Sequence, residues 1–73
     1  MISMYHITFQ QIHYFLTLAR TLSFTETSQM LYISQPTLSK QITALESDLG
    51  FALFERTKRA VTLTPEGKLL AKE

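Results

Sequence analysis

Gln35, Pro36, Ser39, Lys40 and Thr43 recur at helical spacing and bring an amide, two hydroxyls and an ammonium group to one arc. The chemistry open to such a set is hydrogen bonding and charge attraction. No Asp or Glu occurs from Thr27 to Leu45. A helix start with free N–H groups, a positive dipole end and no nearby carboxylate suits a polyanion. The plain alternative is a solvated polar face, which most amphipathic helices have. The neighbouring segments have to decide between the two.

The element that must carry these residues runs from Ser34 to Gly50. Ser34 is a suitable N-cap, because its hydroxyl can accept from an unpaired N–H of the first turn. Pro36 falls in that turn, where its missing N–H costs nothing. Gly50 is the expected stop, free to adopt the left-handed conformation. Leu38, Ile42, Leu45 and Leu49 form an apolar stripe that should face a core.

Before it, Thr8 can cap a helix to about Thr21, with Phe9, Ile12, Phe15, Leu16, Ala19 and Leu22 on one side. Met1 to Ile7 has no clear pattern and reads as a frayed lead-in. Ser23 or Thr25 then caps a shorter helix to about Leu31, burying Phe24, Met30 or Ser28, and Leu31. Tyr32 and Ile33 leave only a tight connection to Ser34. Two helices so joined, the second with a polar leading end, outline a helix-turn-helix, although other helical hairpins share that outline.

After Gly50 the period shortens. Residues 51–56 and 60–63 are rich in strand formers, with Thr57, Lys58 and Arg59 between them. A two-stranded ribbon with a basic tip is stable when packed on helices. Beside a helix-turn-helix it would be a wing, with Lys58 and Arg59 at phosphates or in the minor groove; alone it is a solubilising turn. Thr64, Pro65 and Glu66 start a last helix, which is expected to be cut by the end of the sequence at Glu73.

The totals bound the answer. Seventy-three residues make one small domain, and 45% hydrophobic content with only two glycines suits an ordered, mainly helical unit. Cysteine is absent, which removes disulfides and thiolate metal sites. His6 and His13 lack companion ligands, so no metal or cofactor is expected. There are no paired carboxylates, Ser-His-acid set or glycine-rich phosphate loop, so no enzyme is expected. No targeting or membrane-spanning stretch is seen, and a soluble cytoplasmic protein is the default. The net charge is only +1, but residues 51–73 hold five Lys and Arg against three Glu. Its placement, rather than its size, permits nucleic acid.

The run Phe9-Gln10-Gln11-Ile12-His13-Tyr14-Phe15, then Ser23-Phe24-Thr25, then Ile33 to Ile42, resembles the N-terminal domain of LysR-type transcriptional regulators. Leu45-Glu46, Leu49-Gly50, Leu53 to Thr57 and Leu63 to Gly67 continue the match, in order and without gaps, over about residues 7–73. The resemblance implies a mainly α winged helix-turn-helix over residues 7–64: a three-helix core, a two-stranded wing, and a helix-turn-helix at about 24–43. Residues 65–73 would start a linker helix through which two copies pair, partly against the first helix. Full-length members are usually tetramers on promoter inverted repeats of double-stranded DNA. They bind a small-molecule co-inducer on a C-terminal domain that is absent from this chain.

Carried over residue by residue, the base-reading positions are Gln35, Pro36, Thr37, Ser39 and Lys40. Arg59 contacts DNA from the wing, and Ser23, Thr25, Ser34, Thr43 and Lys58 contact the backbone. Arg56 is open between a phosphate and, by preference, an acid beneath the wing. Three departures stand out. Thr27-Ser28 replaces the commoner pair of alanines, with hydroxyls expected to bond the preceding turn. Lys40 replaces the commoner Arg and loses bidentate geometry. The wing tip has no glycine. A winged-helix protein-interaction module without DNA specificity is the alternative in another class, since a fold does not fix a function.

Overall fold

The computed structural model describes residues 7–72. Met1 to His6 lie outside the described residues, so the lead-in reading is answered only at Ile7, which packs half-buried against the core. Four helices and one hairpin follow in the order α1 (Phe9–Thr21), α2 (Phe24–Leu31), α3 (Gln35–Leu49), β1 (Phe54–Arg56), β2 (Val61–Leu63) and α4 (Pro65–Ala71). The chain is a winged helix-turn-helix.

Each helix starts at a hydroxyl. Thr8 accepts from the Gln11 N–H while the Gln11 side chain accepts from Thr8 N–H, a reciprocal capping box. Ser23, rather than Thr25, caps α2 by accepting from Glu26 N–H. Ser34 caps α3 and Thr64 caps α4, each followed by a proline in the first turn. The three long stops are all left-handed. Gly50 (φ 86°) closes α3, but Leu22 (φ 53°) and Tyr32 (φ 59°) close α1 and α2 with side chains that disfavour that region.

Phe15, Leu18, Leu38, Ile42, Leu45 and Leu53 are fully buried and form the centre of the core. At about 1.5–3 kcal/mol for each such side chain, this cluster is the main source of stability in a small domain. The α3 stripe is placed as its spacing demands, with Leu49 half-buried at the far end. The α1 face is not. Phe9 is 94% exposed, Leu16 and Leu22 are also exposed, and Tyr14, Leu18, Gln11 and Thr17 are buried instead. α1 carries apolar residues on more than one side, and its rotation is fixed by its neighbours. Phe15 meets Phe54 of β1 with ring centroids 5.6 Å apart, and Gln11 Nε2 donates to Gln41 Oε1 of α3 at 3.3 Å. In α2, Ser28 is buried and Met30 exposed, so the polar member of that pair faces inward.

The buried hydroxyls at the seam are satisfied. Ser28 donates to the Thr25 carbonyl at 2.9 Å, the expected bond to the preceding turn. Thr27 instead meets Thr21 Oγ1 at 2.6 Å, which links the start of α2 to the end of α1.

The hairpin pairs Phe54 with Leu63 and Arg56 with Val61, antiparallel, and its strands are shorter than the expected 51–56 and 60–63. The first part of that stretch is tied elsewhere. Glu46 Oε2 accepts from the N–H of Leu53 at 2.7 Å and of Phe54 at 3.1 Å.

Candidate nucleic-acid interface

The N-terminal half of α3, the start of α2 and the end of β1 converge on one open groove. Phe24, Gln35, Pro36, Ser39 and Arg56 line it. Capping explains why α3 offers its first turn here. Ser34 turns the chain from extended to helical, and Thr37 N–H is taken by Ser34 Oγ at 3.2 Å. Pro36, one position before Thr37, adds no donor and stands exposed. Leu38 and Ile42 anchor the opposite side of the helix in the core.

Of the expected base-reading residues, Gln35, Pro36, Thr37 and Lys40 are exposed and Ser39 is half-buried. Gln35 Nε2 donates to Thr25 Oγ1 at 3.1 Å, so two residues assigned separate duties are in contact across the helix-turn-helix. Thr37 Oγ1 accepts from the Ser34 hydroxyl at 2.8 Å. Thr43 is exposed farther along α3, and Ser23 is half-buried at its capping position. No carboxylate lies on α3 before Glu46, and that one is held by the two backbone N–H groups just described. The dipole of α3 therefore presents its positive end without an acid on its own first turns.

The wing tip is built by Thr57 rather than by a glycine. Its hydroxyl oxygen accepts from the N–H of Arg59 at 3.3 Å and of Ala60 at 3.1 Å, while Thr57 N–H donates to the Ala60 carbonyl. A threonine hydroxyl can shape a turn in this way without positive φ. Lys58 and Arg59 are exposed at that turn.

Arg56 departs from the pairing expected for it. Its Nη1 donates to Ser39 Oγ at 3.1 Å, and its guanidinium carbon stands 4.4 Å from the Phe24 ring centroid. Glu46, the acid on α3 tied to this turn, is engaged by backbone N–H groups. The sequence alone does not mark Phe24 as a site residue and leaves the role of Arg56 open. A signal existed for Arg56: in a strand, residues two apart share a face, so a buried Phe54 sends Arg56 toward the helices. The described residues hold no group of three His, Cys, Asp or Glu that could bind a metal, and His13 is exposed on α1. No helix among them is long and apolar enough to cross a membrane.

Comparison with known proteins follows the same outline. The family described as "Bacterial regulatory helix-turn-helix protein, lysR family" matches residues 9–68. The HTH-type transcriptional regulator TfdT of Cupriavidus pinatubonensis is 48% identical over 60 residues, 82% of this chain and 26% of that protein. ClcR of Pseudomonas putida, also an HTH-type transcriptional regulator, is 48% identical over 59 residues, 81% of this chain and 20% of its own. The chain thus spans about a quarter or less of the length of these relatives. Among solved structures, a complex of the BenM DNA-binding domain with catB site 1 DNA superposes with a TM-score of 0.86 at 39% identity, covering 90% of this chain and 73% of that one. The DNA complex of the CbnR DNA-binding domain gives 0.86 at 35% identity, covering 90% and 76%.

Proposed function

This chain belongs to the lysR family of bacterial regulatory helix-turn-helix proteins, and we propose that it binds double-stranded DNA sequence-specifically as the DNA-binding domain of a transcriptional regulator. The observation that carries the reading is the groove at the start of α3, where Gln35, Pro36 and Ser39 stand exposed or half-exposed on an acid-free helix start. In this reading α3 enters the major groove. Gln35 addresses an adenine edge, Lys40 a guanine O6/N7, and Pro36 and Thr37 give apolar contact to a thymine methyl. Lys58 and Arg59 reach phosphates or the minor groove from the wing, and Ser23, Thr25, Ser34 and Thr43 hold the backbone. Relatives of known structure that are bound to DNA support the assignment.

Residues 7–64 form the DNA-binding unit in this proposal, and α4 begins a linker helix through which two copies pair. Leu69 (74% exposed) and Phe9 supply apolar surface for that pairing. A tetrameric, cytoplasmic parent, with a small-molecule co-inducer on a domain outside these 73 residues, completes the proposal by analogy with the family.

The test is selection from a pool of random duplexes, followed by a salt titration on the retained sequence. An enriched inverted repeat, with affinity falling steeply as salt rises, is the expected result. Failure to enrich any sequence, both for this chain and for one with an extended linker helix, would overturn it in favour of a protein-interaction module.

A further inference from the structure

We propose that Arg56 is a positioning residue that fixes Ser39 as a hydrogen-bond donor toward the major groove. This rests on the DNA-binding reading above.

A serine hydroxyl has one proton to give and two lone pairs. Within helices the proton commonly goes to a carbonyl of the preceding turn. Thr17 donates in this way to the His13 carbonyl and Ser28 to the Thr25 carbonyl, both at 2.9 Å. Ser39 has a different neighbour. Arg56 Nη1 donates to its oxygen at 3.1 Å, which occupies a lone pair and places a cation beside it. A guanidinium offers only donors, so the hydroxyl proton is driven to the side away from Arg56. Ser39 lines the open groove together with Gln35, Pro36, Phe24 and Arg56 itself, so a partner entering the groove can meet that proton.

The guanidinium is itself held. Phe24 of α2 lies under it at 4.4 Å, and pairing with Val61 fixes the backbone of Arg56 in the hairpin. Three elements, α2, α3 and β1, therefore meet at one cation. With its proton free and one lone pair taken, Ser39 favours as partner a purine N7, guanine O6 or thymine O4 over the amino groups of adenine N6 and cytosine N4.

The experiment measures affinity for the selected duplex and for a random duplex of equal length, using the parent chain, S39A, R56Q, R56K and the S39A/R56Q double variant. R56Q and S39A are each expected to lower the selected-over-random ratio about tenfold, as loss of one base contact does. The double variant should lose no more than either single one, the salt slope should not move, and R56K should fall between. Repeating the selection with either variant should relax the same position. Equal weakening on both duplexes with a reduced salt slope would make Arg56 a phosphate contact and overturn the proposal. Additive losses in the double variant would also overturn it. If R56Q melts below the assay temperature, R56K and S39A carry the same comparison. A parent chain with no preferred duplex would sink the DNA-binding reading itself, a result distinct from a parent that discriminates and an R56K that keeps its ratio.

Discussion

Gly67 of α4 lies against the carbonyl oxygen of Leu53, so close that a methyl group on its Cα would collide with that oxygen and stand 3.0 Å from Leu63 Cδ2. The same carbonyl accepts the Thr64 N–H at 3.0 Å, and the Thr64 hydroxyl donates to the Ala52 carbonyl at 2.7 Å. The turn before the hairpin and the start of α4 are thereby locked together by backbone atoms, which cannot swing aside as a side chain can. Gly67→Ala is expected to destabilise the domain by about 2 kcal/mol, the collision outweighing the better helix propensity of alanine. In thermal unfolding this corresponds to a loss of roughly 8–16 °C for a domain of this size. An unchanged or raised melting temperature would show that α4 can lift off Leu53 freely.

Glu46 holds the other end of that turn by accepting two N–H groups, from Leu53 and Phe54. Removing the carboxylate leaves both donors without their partner. Glu46→Ala is expected to cost about 2–3 kcal/mol in urea unfolding, with Glu46→Gln costing less because its amide oxygen can still accept. Equal losses for the two variants would argue that packing, rather than hydrogen bonding, is what Glu46 supplies.

Tyr32 is 94% exposed and closes α2 at φ 59°, so its side chain earns little in packing for a strained backbone. Tyr32→Gly is expected to stabilise the domain by about 0.5–1 kcal/mol, the left-handed penalty relieved exceeding the extra unfolded-state entropy. Tyr32→Ala keeps the penalty and is the control. A midpoint that rises equally in both would assign the gain to loss of the phenol instead.

Lys40 and Arg59 should separate in their effects on DNA. Lys40→Ala is expected to weaken the selected duplex by about 1–3 kcal/mol and to leave random duplexes nearly unchanged. Arg59→Ala should weaken both alike and lower the salt slope by about one. Swapped behaviours would move base reading from the helix to the wing.

Self-association is expected to be weak and to run through the exposed apolar residues of α1 and α4. Sedimentation at high concentration should show a dimer that Leu69→Lys, at a 74% exposed position, removes without changing the melting temperature. A parent chain that stays strictly monomeric would count against pairing through α4.

Local chemistry made much of this protein legible in its sequence. Thr8, Ser34 and Thr64 cap their helices as hydroxyls followed by helical residues do, because a cap depends on atoms only three positions away. Leu38, Ile42 and Leu45 are buried because α3 has only one apolar side. What needed the tertiary structure is whatever depended on partners distant along the chain. α1 has more than one apolar side, so contact with Phe54 and Gln41 chose the face that hides Phe15 and Leu18 and leaves Phe9 outside. Tyr32 and Leu22 carry no helix-stop signal; they take a left-handed backbone where packing on either side demands the turn. The pairing of Arg56 with Ser39 joins residues 17 positions apart, and it exists only once the hairpin has folded back across α3. The sequence determined which polar side chains stand together at the start of α3, since that rests on side-chain type and helical spacing. Only the fold decided which of them hold one another in place, because such contacts are made between elements that no local rule brings together.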